Sequence, residues 1–134
     1  MITWHGIADQ LLHYNITQRY YSSVLAADPQ AADYYRFFEA PGVKHCAGGP
    51  GFYPTDVWAM LQDWVEKGKA PDQLLGMTVG QDKEADMSRP LCPYPLVARY
   101  VGGDASEWKS YECAEDFGKK KAEVQMDGVA HDEL

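Results

Sequence analysis

Trp4-His5-Gly6-Ile7-Ala8-Asp9 is the stretch that decides the fold. A short apolar run over residues 1–4 leads into a glycine, and a carboxylate follows three residues later. The run reads as a short buried strand, with the glycine as the turn that ends it. Outward from there the chain alternates. Residues 17–27 put Tyr20, Tyr21, Val24 and Leu25 at helical spacing, and Asp28-Pro29 stops that helix. Residues 34–38 are rich in aromatics and read as a second strand, ended by Ala40-Pro41-Gly42. His45-Cys46 follows, and then Gly48-Gly49-Pro50-Gly51, which excludes regular structure. Thr55 is the expected cap of a helix over 56–67 with an apolar stripe of Val57, Met60, Leu61, Trp64 and Val65, stopped at Gly68. Residues 74–79 read as a strand, 81–88 as an acidic loop, and 94–101 as an extended segment broken by Pro95.

The first half therefore runs strand, loop with Asp, helix, strand, loop with His, helix. Such alternation predicts an α/β fold with a parallel sheet. Chemical groups in such sheets gather at the carboxyl ends of the strands. Asp9 and His45 both stand there, after successive strands, and adjacent parallel strands would bring their loops together. A carboxylate beside an imidazole fixes its tautomer and steadies its protonated form, so the ring can act as general base and then general acid. Plainer roles stay open for both residues on this ground alone: Asp9 as a turn or cap aspartate, His45 as a loop histidine with one backbone bond. A metal site over His5, Asp9 and His13 has the spacing of one helix face. Gly6 and the strand start count against that helix, leaving His5 and His13 as packing or surface residues. Tyr34, Tyr35, Phe37 and Phe38 read as strand core, and Trp58 and Trp64 as helix packing.

The whole 134-residue chain carries a formal charge of −8. That argues against a nucleic-acid partner, which needs a basic face. The only basic run, Lys119-Lys120-Lys121, is flanked by acids and reads as a solvated tail. No run of 18 apolar residues exists, so no membrane-spanning helix is expected. Nor is a signal peptide expected, since Met1 leads directly into the first strand. Residues 118–134 are expected to be a polar, loose tail after a domain over 1–117.

Three cysteines are an odd number. Cys92 and Cys113 lie in a loop-rich segment and fit a local disulfide, which leaves Cys46 without a mate. Three reduced thiols are the alternative. Asn15-Ile16-Thr17 is a glycosylation sequon. The last four residues, His131-Asp132-Glu133-Leu134, form a signal for retention in the endoplasmic reticulum. Both point to the secretory route.

WHGIAD over 4–9, YYRFFEAPGVKHCAGGPG over 34–51, DVWAMLQDWVEKGKAPDQLLG over 56–76 and RPLCPYPLVARYVGGDASEWKSYEC over 89–113 occur in the order found in one family. Together they resemble the C-terminal part of the tannase and feruloyl esterase family, secreted α/β-hydrolases that cleave esters of aromatic acids. The resemblance implies an extracellular or secretory-pathway protein, with Asp9 as the acid and His45 as the base of a serine triad. This agrees with the Ser, Asp, His order of α/β-hydrolases. It further implies that Cys46 pairs with a cysteine upstream, just before the nucleophilic serine. The substrate would be a small aromatic-acid ester.

The family's nucleophile elbow, oxyanion hole and calcium-holding lid belong upstream of these motifs, so no cofactor or metal is expected in this chain. The serines present are Ser22, Ser23, Ser88, Ser106 and Ser110. None stands in a G-x-S-x-G context or follows a cysteine. The expectation is an incomplete sheet and an isolated chain that does not hydrolyse esters. The alternative is a non-catalytic remnant serving as a binding or interaction module. Its first strand would offer an unpaired edge for self-association.

Overall fold

Phe37 and Phe38 are neighbours on one strand, and both are wholly buried. Successive side chains of a strand point to opposite faces, so this strand must be covered on both sides. The computed structural model describes residues 1–78 and 87–115. Strand β1 (Ile2–Gly6) pairs in parallel with β2 (Arg36–Ala40), in a register that sets Ile2 against Arg36 and Gly6 against Ala40. Helix α1 (Asn15–Ala27) crosses between them. It covers one face, where Tyr21, Tyr35 and Phe37 form a buried cluster flanked by Val24, Leu25 and Tyr94. The Tyr21 hydroxyl donates to the Tyr35 carbonyl at 3.0 Å, so the buried ring leaves no orphan polar atom.

On the other face Phe38, Ala40 and Val43 pack with Leu74 and Leu91. Helix α2 (Val57–Lys67) lies against this second layer through Val57 and Met60. Gly68 ends the helix in a left-handed turn, its amide bonding back to Trp64. Strands β3 (Phe52–Pro54), β4 (Leu74–Thr78) and β5 (Ser88–Leu91) form an antiparallel sheet in the order β3-β4-β5. Pro90 lies on a strand that, among the described residues, pairs only with β4, an edge position where proline is tolerated. Strands β6 (Val97–Tyr100) and β7 (Tyr111–Ala114) make an antiparallel hairpin. Among its links to the rest, the connection between its strands is bonded to Ser88 of β5, whose amide donates to the Ser106 carbonyl at 2.8 Å and whose hydroxyl accepts the Trp108 amide at 2.9 Å. The Arg89 guanidinium lies between the rings of Phe52 and Tyr111, at 5.0 and 4.1 Å from their centres. The disulfide Cys92–Cys113 adds a covalent link.

Among the described residues, the parallel pairing expected from the alternation is found between β1 and β2. The strands on either side of α2 are antiparallel, since alternation counts elements and not their directions. Strands β3, β5 and β7 escaped the sequence reading because each is only three or four residues long and carries no two-residue hydrophobic period. Ser88 belongs to β5 rather than to the preceding loop. Thr55 does not cap α2. Asp56 takes the N-cap position and accepts the Leu75 amide at 3.0 Å, while the Thr55 hydroxyl donates to the Leu75 carbonyl at 3.2 Å. Both residues therefore tie the helix start to β4. Val65 and Trp58 are exposed, so the stripe of α2 is narrower than its apolar residues imply. Tyr34 is exposed as well, because β2 starts only at Arg36; its hydroxyl bonds the Asp28 carboxylate at 2.7 Å. Val79, most of the acidic loop over 81–88, the Lys119–121 run, the 118–134 tail and its HDEL end lie outside the described residues. No helix among the described residues is long and apolar enough to cross a membrane.

Candidate active site

β1 ends at Gly6, and the chain turns at once, the Asp9 amide donating to the Gly6 carbonyl at 3.1 Å. The turn is stitched to the segment after β2, with Ile7 donating to Ala40 at 3.0 Å and Ala8 to Val43 at 3.0 Å. Those bonds extend the parallel pairing beyond the strands and carry the 43–45 segment alongside. Gly6 makes this approach possible: a Cβ there would stand 2.3 Å from the Val43 oxygen and 2.9 Å from the Lys44 oxygen. The glycine-rich loop then folds back on the 42–44 segment, the Lys44 amide donating to the Gly48 carbonyl at 3.0 Å. Its Gly49, at φ +90°, lies where a Cβ would be 2.3 Å from the Gly42 oxygen.

Two residues 36 apart in sequence thereby meet, with His45 Nδ1 2.9 Å from Asp9 Oδ2. The Asp9 side chain is only 5% exposed and that of His45 is 31% exposed. A carboxylate at this depth must spend its lone pairs on donors. Oδ1 accepts the amides of Leu11 and Leu12 at 2.8 and 2.9 Å, an Asx-type turn. Oδ2 accepts from His45 and also faces His5 Nε2 at 3.2 Å. Burial pushes the Asp9 carboxyl upward. The Leu12 amide, the His45 ring and the Leu11 amide, with the attraction of His45, outweigh it and hold the group far below the usual carboxylate range. Asp9 is therefore anionic throughout the neutral range, and its hydrogen bond assigns the proton of a neutral His45 to Nδ1. Nε2 is then the acceptor, and nothing among the described residues bonds it. The His45 amide reaches Gln10 Oε1 at 3.5 Å.

Cys46 is exposed, unpaired among the described residues, and holds a left-handed backbone at φ +58°. All five serines are described, and none bonds the His45 ring. Ser23 donates to Arg19, Ser106 to Asp104, and Ser88 takes the Trp108 amide. Asn15 is the exposed first residue of α1. His13 stacks on Tyr14 at 5.1 Å. The helical spacing of His5, Asp9 and His13 does not arise, because His5 lies on β1. No group of three or more ligating side chains among the described residues could hold a metal ion. His5 is the residue that sequence reasoning passed over. The signal was its position four before Asp9, read there only as a weak metal pattern.

A buried carboxylate at one strand end is thus hydrogen-bonded to a partly exposed histidine on the loop that follows the neighbouring parallel strand. The chain belongs to the tannase and feruloyl esterase family, whose model matches residues 1–114. It is 40% identical over 124 residues to a probable feruloyl esterase of Arthroderma benhamiae, covering 88% of this chain and 23% of the relative. It is 44% identical over 117 residues to the mono(2-hydroxyethyl) terephthalate hydrolase of Piscinibacter sakaiensis, covering 85% of this chain and 19% of that protein. Among solved structures, an esterase from Aspergillus oryzae superimposes with a TM-score of 0.72 at 30% identity, over 84% of this chain and 27% of its own. The tannin acyl hydrolase from Aspergillus niger gives 0.72 at 26% identity, over 98% and 24%. The chain thus spans about a quarter or less of the length of the relatives it matches.

Proposed function

We propose that this chain carries the acid and base of a serine-type carboxylic ester hydrolase, in the C-terminal part of an α/β-hydrolase fold. The single observation behind this reading is the 2.9 Å contact between Asp9 and His45, with Nε2 left open. In the proposed reaction a serine hydroxyl attacks the ester carbonyl and gives its proton to His45 Nε2. That proton passes to the departing alcohol as the acyl-enzyme forms. Water then attacks the acyl group and loses a proton to the same nitrogen, which returns it to the serine oxygen as the acid leaves. Asp9 orients the ring and steadies its positive charge. Feruloyl, terephthalate and tannin esters, named for the relatives, share an aromatic acyl group, which supports an aromatic-acid ester as substrate. The Cys92–Cys113 disulfide supports a secretory or extracellular setting.

The serine must come from outside the five described, so the 134-residue polypeptide alone is expected to show no turnover of methyl ferulate or methyl gallate. The decisive experiment is a chimera. Residues 1–114 replace the matching segment of the Arthroderma relative, and hydrolysis of methyl ferulate is followed with and without His45→Ala. Activity that disappears with His45 supports the reading. Activity indifferent to His45, or turnover by the 134-residue chain itself, refutes it.

A second reading, an interaction module, is favoured by one surface. β1 pairs only with β2 among the described residues, and Leu11, Leu12, Ile16 and Tyr20 are exposed nearby. Self-association through that edge predicts a mass that rises with concentration in analytical ultracentrifugation. A monomer at all concentrations removes this reading.

A further inference from the structure

The acid–base pair leaves part of the polar cluster around Asp9 unexplained. His5 sits beside it with its side chain only 14% exposed, and both ring nitrogens are engaged. Nε2 lies 3.2 Å from Asp9 Oδ2 and 3.0 Å from the Leu12 carbonyl oxygen. Both of those atoms accept and neither can donate, so Nε2 carries a proton. Nδ1 lies 2.7 Å from Thr17 Oγ1, a hydroxyl free to donate. One neutral tautomer satisfies all three partners: Nδ1 accepts from Thr17, and the Nε2 proton is shared between Leu12 and Asp9.

The effect falls on the oxygen that serves His45. The Leu11 and Leu12 amides hold Oδ1. Oδ2 has two donors, His45 Nδ1–H on one side and His5 Nε2–H on the other. Remove His5 and one side of Oδ2 is vacant. Water can enter there, the carboxylate can turn about the oxygen still held, and the direction of the bond to His45 is no longer fixed. We infer that His5 is a positioning residue for the Asp9–His45 pair and that Thr17 sets its tautomer. This rests on the reading of that pair as a triad acid and base. His5 touches no reacting atom, so it acts through the carboxylate. Because Thr17 belongs to α1 and His5 to β1, the relay also ties the start of the helix to the site.

Long-range proton–nitrogen spectra of the imidazoles in the 134-residue chain test the tautomer directly. The expected result is a neutral His5 with its proton on Nε2. The His45 Nδ1 proton, sheltered by Asp9, should exchange with water at least tenfold faster in His5→Phe. It should return toward the original rate in His5→Gln, whose amide can donate to the same oxygen. The second arm uses the chimera described above. There His5→Phe is expected to lower kcat by roughly 10- to 100-fold with KM unchanged, and His5→Gln to recover most of the loss. Thr17→Val, a milder change, should release the tautomer and lower kcat less, and it serves if the Phe variant fails to fold. A His5 proton on Nδ1, or His45 exchange and kcat unchanged without the imidazole, overturns the inference. If the unaltered chimera is inactive, the triad reading fails, while the spectra still decide the role of His5.

Discussion

Gly6 and Val43 approach so closely that a single added carbon on Gly6 would overlap the Val43 carbonyl oxygen, 2.3 Å away. The strand end and the histidine loop are in backbone contact, and the loop's position depends on a missing side chain. Gly6→Ala must push that loop outward. A stability loss of about 1–3 kcal/mol is expected, as for overpacking, read as a lower urea midpoint. Gly48→Ala is the control. It has open space around it and a left-handed backbone at φ +76°, so only a conformational penalty of about 1 kcal/mol is expected.

Asp9→Asn and His45→Ala test the pair itself. An asparagine amide would present a donor or a weaker acceptor to Nδ1, favouring the wrong tautomer. In the active chimera Asp9→Asn is expected to lower kcat by about 10⁴-fold and His45→Ala by about 10⁶-fold. KM should stay nearly constant, because neither group is expected to bind the ester in its ground state. Steady-state kinetics on methyl ferulate give both numbers.

Acid should reveal the same carboxylate. Its folded pKa lies below the unfolded value of about 3.9. A depressed acid contributes stability above the unfolded pKa and loses it as pH falls toward the folded one. The stability difference between the native chain and Asp9→Asn should therefore be open at pH 5 and narrow as the pH drops below about 4. Urea unfolding across that range checks it, and a gap that widens in acid contradicts the assignment.

The Cys92–Cys113 bridge closes a loop of 21 residues that contains the β6–β7 connection. Reducing it, or replacing both cysteines by alanine, should cost about 3 kcal/mol if the chain-entropy account holds. The His45 Nδ1 proton signal should persist after reduction, because the site is built on β1 and β2 and not on the hairpin.

The site was easier to read from the sequence than the architecture. Asp9 and His45 were visible because each follows a strand and a turn, and because the surrounding motifs occur in a known order. The helices α1 and α2 declared themselves by spacing and by Pro29 and Gly68. The antiparallel sheet did not, since β3 and β5 are three and four residues long and take their order from tertiary pairing. Thr55 looked like a cap because its type is right; Asp56 holds the position because its carboxylate also reaches the Leu75 amide. The spacing of His5, Asp9 and His13 suggests only a metal pattern, which Gly6 and the strand start count against, and it says nothing of a partner for Asp9. The partners of His5, Thr17 and the Leu12 carbonyl, come together only when α1 folds over the strand end.

The back-to-back burial of Phe37 and Phe38 has a thermodynamic consequence. The cluster under α1 and the cluster on the α2 side lean on opposite faces of the same five residues of β2, the second also drawing on Leu74 of β4 and Leu91 of β5. Melting either layer exposes a phenylalanine and loosens the platform of the other. The two halves should therefore unfold together, in one cooperative step, and not as separable pieces.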